Sequence, residues 1–267
     1  MKTIIACTDY SETSDNACRY AAFLANKLNC KLTIFNMFDA PVIHSNTGLY
    51  LISYSGKRTT SQLNAHKLVS KLQTQFPKLK IESFVTSGAF KQELEAFTKA
   101  HRVEAAVMGL AAKNRISKYI YGSHGVDIVG KIESPVIIVP SNYKNHQLSK
   151  VLLTVDNHEK LLKSSLKGFQ KFIQESKTKL GLLHVRTEDE IFDPVTDALS
   201  INGKHLKIDN IKANDLQAGV NKYCVSGNID LIAIISKKHS VFYNLFSESN
   251  TKKIAFSSKV PVMSIHE

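Results

Sequence analysis

Short runs of apolar residues, each stopped by a polar turn, punctuate this chain at intervals that repeat. Thr3-Ile4-Ile5-Ala6-Cys7-Thr8 ends at Asp9, and Val151-Leu152-Leu153-Thr154-Val155 ends at Asp156. An amphipathic stretch follows each, residues 14–28 in the first case and 160–176 in the second. Next come Lys31-Leu32-Thr33-Ile34-Phe35-Asn36-Met37 and Lys179-Leu180-Gly181-Leu182-Leu183-His184-Val185. The parallel continues through Leu79-Lys80-Ile81-Glu82-Ser83 with Leu206-Lys207-Ile208-Asp209-Asn210, and Ala105-Ala106-Val107-Met108 with Leu231-Ile232-Ala233-Ile234-Ile235. It closes on Ser134-Pro135-Val136-Ile137-Ile138-Val139 and Val260-Pro261-Val262-Met263-Ser264-Ile265. Lys179 against Lys31 is an offset of 148, and Leu206 against Leu79 one of 127, so the second copy is about 20 residues shorter in its middle. The first copy has the extra stretch after its second strand, at residues 41–60.

Apolar runs of roughly 4–6 residues alternating with helical segments of about 10–15 predict βαβ units and a parallel sheet. The unbroken hydrophobicity of Val136-Ile137-Ile138-Val139 fits a strand covered on both faces. With right-handed crossovers, the predicted fold is α/β: two tandem, doubly wound, five-stranded parallel-sheet domains. They are expected over residues 1–144 and 148–267, joined around 141–149. Ligands of such sheets bind beyond the carboxyl ends of the strands, where the strand order reverses.

Composition narrows the class without naming it. Hydrophobic content of 43% and charged content of 22% suit a globular chain with a real core. No apolar run reaches the ~18–20 residues of a membrane span, and Met1-Lys2-Thr3 leads into too short an apolar stretch for a signal peptide. A cytoplasmic location without membrane contact is therefore expected. Cys7, Cys18, Cys30 and Cys224 form no CxxC pair, which points to reduced, mostly buried thiols. The net charge of +12 is scattered; Lys113, Arg115 and Lys118 are the one basic group inside a motif. Aromatics interleaved with bases are absent. A solvated basic surface is the favoured reading, and nucleic-acid binding ranks last.

Four segments of the first copy should meet at the strand ends: Thr8-Asp9-Tyr10-Ser11, Asn36-Met37-Phe38-Asp39, Ser87-Gly88, and the stretch after strand four. That last stretch reads Gly109-Leu110-Ala111-Ala112, nine residues, then Gly122-Ser123. A glycine after an apolar strand lets backbone approach a ligand, and small residues keep the approach open. A helix opened by Gly122-Ser123 would favour an anion through its free N–H groups and dipole. The ordinary alternative is a strand-ending glycine and a helix-capping serine.

Val107-Met108-Gly109-Leu110-Ala111-Ala112, then Tyr121-Gly122-Ser123, then Ser134-Pro135-Val136-Ile137-Ile138-Val139, resembles the universal stress protein family. The opening Ile4-Ile5-Ala6-Cys7-Thr8-Asp9-Tyr10-Ser11-Glu12 is similar too, and the likeness runs along the chain as a tandem member with an adenine nucleotide α-hydrolase-like fold. ATP-binding members carry Gly-x2-Gly-x9-Gly-Ser/Thr. The resemblance implies that Asp9 sits at the nucleoside end, that Met37 offers backbone groups to adenine, and that Gly109 lies beside the ribose. Ala112, Gly122 and Ser123 would face the phosphates. Ala112 stands where the family has its second glycine, and its Cβ narrows that approach. Lys113, Arg115 and Lys118 offer compensating charge. The second copy reads Ser236-Lys237-Lys238-His239, nine residues, then Ser249-Asn250; its length is kept and its glycines are gone, although Asp156 matches Asp9. ATP or a related adenine nucleotide is therefore expected in the first domain alone, with magnesium left open.

Catalytic signatures are missing. His124 follows Ser123 and Asp127 lies a turn later, but neither these nor His44 and His184 show metal-ligand spacing. No nucleophile elbow or complete P-loop occurs. Three readings remain: a nucleotide-binding stress protein acting through regulated contacts with an unidentified protein partner, a nucleotide-free interaction module, and, ranked below both, a slow ATPase using His124. Family members pair through the last strand, which implies an intrachain pseudo-dimer of 136–139 with 262–265 and leaves room for a homodimer of the whole chain.

Overall fold

Every residue of the first apolar run is buried, because the sheet it joins is covered on both faces. That run is β1 (Thr3–Thr8) of a computed structural model that describes residues 1–40, 47–110, 132, 134–155, 159–186, 198–201, 203–236 and 258–266. The chain divides into two units, Met1–Lys144 and Asn145–Glu267.

In the first unit β1 is followed by helix α1 (Glu12–Lys27), β2 (Lys31–Phe38), helix α2 (Thr47–Gln75) and β3 (Ile81–Ser87). Helix α3 (Phe90–Ala100), β4 (Val103–Leu110) and β5 (Val136–Pro140) complete it. The strand order is β3-β2-β1-β4-β5, parallel throughout. The chain steps outward from β1 to β3 and then returns to the other side of β1 with β4, so the order reverses between β1 and β4. Ser11 caps α1 by accepting the Ser14 amide at 3.3 Å. The inner face of α1 is small except for Tyr20 and Leu24, both fully buried, and this lets the helix lie close on the sheet. Buried Asn16 donates to the carbonyls of Pro140 and Tyr143 at 3.1 and 3.0 Å, tying α1 to the chain that leaves β5. Below the sheet Phe35 meets Phe90 and Phe97 edge-on, with ring centroids 6.0 and 5.7 Å apart.

The second unit begins with β6 (Lys150–Thr154), helix α4 (Glu159–Ser176) and β7 (Lys179–Arg186). It continues with β8 (Ala198–Ile201), β9 (Lys204–Lys212), helix α5 (Leu216–Gly227), β10 (Leu231–Ser236) and β11 (Val262–His266). Its order is β11-β10-β6-β7-β9-β8. Both units are thus α/β with mainly parallel sheets, as the alternating pattern predicts. Three details differ from the sequence reading. The second unit has six described strands rather than five, because β8 folds back antiparallel onto β9. Ile201 pairs with Lys204, and the two-residue connection closes through Gly203 at φ +74°, a left-handed conformation that suits glycine. Helix α2, at 29 residues, is about twice the expected length. Strand β3 runs from Ile81 to Ser87, later than the apolar residues at 79–83 suggest. No helix among the described residues is long and apolar enough to cross a membrane.

A buried carboxylate fixes the entry to the second unit. Asp230, 4% exposed, accepts the amides of Ser149 and Lys150 at 2.7 and 2.9 Å and the Gln147 side-chain amide at 2.8 Å. Asp230→Ala strands these donors in the interior. It is expected to lower the stability of the second unit by about 2–4 kcal/mol in urea unfolding at neutral pH; a change below about 0.5 kcal/mol would contradict the assignment.

Candidate functional site

The reversal between β1 and β4 creates a crevice at the carboxyl ends of the first unit's strands. Its floor is built from side chains that lock the end of β1. Thr8 Oγ1 lies 2.9 Å from Ser14 Oγ and accepts the Tyr10 amide at 2.9 Å. Ser11 donates to Asp9 Oδ1 twice, from its amide at 3.0 Å and its hydroxyl at 2.6 Å. Asp9 is thus a half-buried carboxylate with one oxygen held by the capping turn of α1. Between them Tyr10 turns the chain with φ 62°, and its hydroxyl donates to the Ser61 carbonyl of α2 at 2.8 Å. Burial raises the Tyr10 phenol above its ordinary range, so the ring stays neutral and able to donate.

Pairing places the neighbouring strands level with this turn. The β1–β2 register ends at Thr8↔Asn36, which puts Met37 beside Asp9. The β1–β4 register ends at Ala6↔Val107, so Gly109 falls beside Thr8. Adjacent strands lie ~5 Å apart, hence Asp9, Met37 and Gly109 lie on three neighbouring strands, with Gly109 one residue below the level of Asp9 and Met37. Asn36, fully within the sheet, donates its side-chain amide to the Thr8 carbonyl at 2.8 Å and holds the ends of β1 and β2 together. The second unit repeats this contact with a different residue. His184 of β7 is buried, and its Nδ1 lies 3.0 Å from the Val155 carbonyl, which can only accept, so Nδ1 carries the proton. His184 therefore acts as a strand tie.

Gly109 has a job that sequence reasoning missed. It lies inside β4, opposite Val139, rather than after the strand. A Cβ at this position would come within 2.6 Å of the Thr13 carbonyl oxygen and 2.9 Å of its carbon. The missing side chain lets the first turn of α1 press its backbone onto β4, which sets the position of Ser11 and Asp9.

Of the residues expected at the site, Asp9, Met37 and Gly109 are brought together. Ala112, Gly122 and Ser123 lie outside the described residues, as do Lys113, Arg115, Lys118, His124 and Asp127. In the second unit Ser236 ends β10, while Asp156, Ser249 and Asn250 also lie outside them. Among the described residues no cluster of three or more His, Cys, Asp or Glu side chains could hold a metal ion. Cys7, Cys18 and Cys30 are buried thiols outside any disulfide. Burial pushes the Cys18 thiol up to about 12, against a hydrogen bond from the Thr8 side chain, so it stays protonated packing beneath the crevice.

A five-stranded parallel sheet whose strand order reverses between β1 and β4 defines a doubly wound α/β domain. The family model for the universal stress protein family matches residues 1–140, just over half of the chain. The chain belongs to the universal stress protein family. Among solved structures it is similar to a universal stress protein from Archaeoglobus fulgidus DSM 4304, at 14% identity and a TM-score of 0.66, covering 98% of this chain and 97% of that one. A functionally unknown protein from Pseudomonas aeruginosa PAO1 matches at 9% identity and a TM-score of 0.56, over 99% and 92% of the two chains. At these identities the likeness concerns the fold, and in both cases it runs through the two units. No curated protein matches the sequence.

Gly109→Ala forces the Thr13 backbone away from β4. It is expected to cost about 1–3 kcal/mol in urea unfolding of the first unit. Unchanged stability would mean that α1 is free to move from the sheet.

Proposed function

We propose that the first unit binds ATP or a related adenine nucleotide at the carboxyl ends of β2, β1 and β4, and that occupancy regulates contacts with a protein partner. The observation that carries this reading is the placement of Asp9, Met37 and Gly109 on three neighbouring strands, Met37 beside Asp9 and Gly109 one residue lower beside Thr8. The Asp9 carboxylate is pre-oriented by two Ser11 hydrogen bonds, so it is ready to accept from ribose hydroxyls without losing conformational freedom. Met37 brings backbone groups one strand away for the adenine edge. The nucleoside half of such a ligand fits these residues. Gly109, being filled from one side by Thr13, contributes flatness beside the ribose rather than a cavity. Ala112, Gly122 and Ser123 would take the phosphates through backbone N–H groups and a hydroxyl, with Lys113, Arg115 and Lys118 adding positive charge. The second unit, lacking these glycines, serves as a nucleotide-free structural partner. In cells the protein works in the cytoplasm.

A nucleotide-free interaction module is the second reading, favoured by Ala112 in place of glycine. Calorimetric titration with ATP separates the two. Wild type should bind one ATP per chain, Asp9→Ala should weaken binding about 10- to 100-fold by removing charged-group hydrogen bonds, and Gly122→Val should abolish it. No heat from wild type at millimolar ATP would leave the interaction module standing.

A further inference from the structure

Helix α2 touches the ends of three adjacent strands with one stripe of its surface. Tyr54 Oη lies 3.1 Å from Ser87 Oγ, the last residue of β3, and its ring packs edge-on against Phe38, the last residue of β2, at 5.2 Å between centroids. Lys57 donates to the Asp39 carbonyl just beyond β2 at 3.1 Å. Ser61 accepts the Tyr10 hydroxyl from the end of β1. Positions 54, 57 and 61 are spaced i, i+3 and i+7, which places them on one helical face. The seven residues before Tyr54, 47–53, carry the helix a further ~10 Å beyond this contact. Residues 47–60 belong to the stretch that the second copy lacks; there the described strands are the β8–β9 hairpin instead.

We propose that the leading half of α2 is the outer wall of the nucleotide site, and that Tyr10 is the positioning residue that couples Asp9 to it. The proposal rests on the nucleotide reading above and extends it to how occupancy is read out. Asp9 and Tyr10 are consecutive, and both are tied into one hydrogen-bonded turn through Thr8 and Ser11. A left-handed Tyr10 leaves the turn little room to adjust locally, so a carboxylate engaged by ligand fixes the Tyr10 ring as well. Through Ser61 that ring then fixes the helix, and the helical backbone over residues 47–61 becomes protected in a ligand-dependent way.

Amide hydrogen exchange of the full chain with and without saturating ATP tests this. In the wild type, ATP should slow exchange across residues 47–61 at least about fivefold. Tyr10→Phe keeps the ring and Asp9, so ATP should still bind, weakened about 3- to 10-fold by loss of one hydrogen bond. In this variant, slowing of 47–61 should fall to within about twofold of the ligand-free protein. Tyr54→Phe, which retains packing on Phe38, should lose the slowing at 47–56 and keep it at 57–61. Equal slowing in wild type and Tyr10→Phe, or ATP binding that leaves α2 unaffected in the wild type, would overturn the proposal alone. Absence of ATP binding by the wild type would overturn it together with the nucleotide reading.

Discussion

The backbone-to-backbone approach of α1 to β4 at Gly109 is the constraint on which the first unit's crevice depends. The Thr13 carbonyl occupies the space that any side chain at 109 would need. Because α1 begins there, its capping serine stands beside the end of β1 and can hold Asp9. Because the helix is small-faced and flush with the sheet, Asn16 reaches the carbonyls of Pro140 and Tyr143, so the same helix also anchors the end of β5. One close contact thus fixes the carboxylate, the neighbouring strand ends and the exit of the unit. The candidate site lies where this packing leaves backbone groups unpaired, at the strand ends and the helix start.

The two units show which parts of this arrangement are scaffold. Asn36 in one and His184 in the other make the same tie to the carbonyl before the aspartate position, with different chemistry and the same geometry. Sheet pairing at the switch is likewise repeated: β6 lies between β7 and β10 as β1 lies between β2 and β4. Divergence begins after the second strand of each unit. There the first unit invests its extra residues in a long helix that returns across the strand ends, while the second closes with an antiparallel edge strand. A long helix belongs to one copy and an edge-capping hairpin to the other, so the two copies differ most beside their second strands.

Much of the fold was legible because buried parallel strands leave an unmistakable trace: Ile4-Ile5-Ala6-Cys7 and Val136-Ile137-Ile138-Val139 are apolar at every position. Strand β3 was displaced in the sequence reading because it is an edge strand, half-exposed, whose Glu82, Ser83, Thr86 and Ser87 blur any pattern. The Asn202-Gly203 dipeptide is a hairpin signal that the strand alternation alone does not reveal. The length of helix α2 was not legible because polar residues around Ser55-Gly56-Lys57-Arg58 interrupt its apolar face. At the site, Asp9 and Met37 were readable from their place at strand ends. Gly109 was found for its position, but its reason, the Thr13 backbone, is a contact across about a hundred residues of chain and leaves no local mark. The contacts of Tyr10, Tyr54 and Lys57 left no mark for the same cause: each is made with a partner distant in sequence.

The claim most exposed to test is that the first unit alone carries the ligand, at the height of Asp9. Titration of the 15N-labelled chain with ATP, followed by amide chemical shifts, addresses it directly. The account requires saturable shifts concentrated at Asp9, Tyr10, Met37 and Gly109, with the amides at the ends of β6, β7 and β10 unmoved. Shifts confined to the second unit, or none at millimolar ATP, would contradict it.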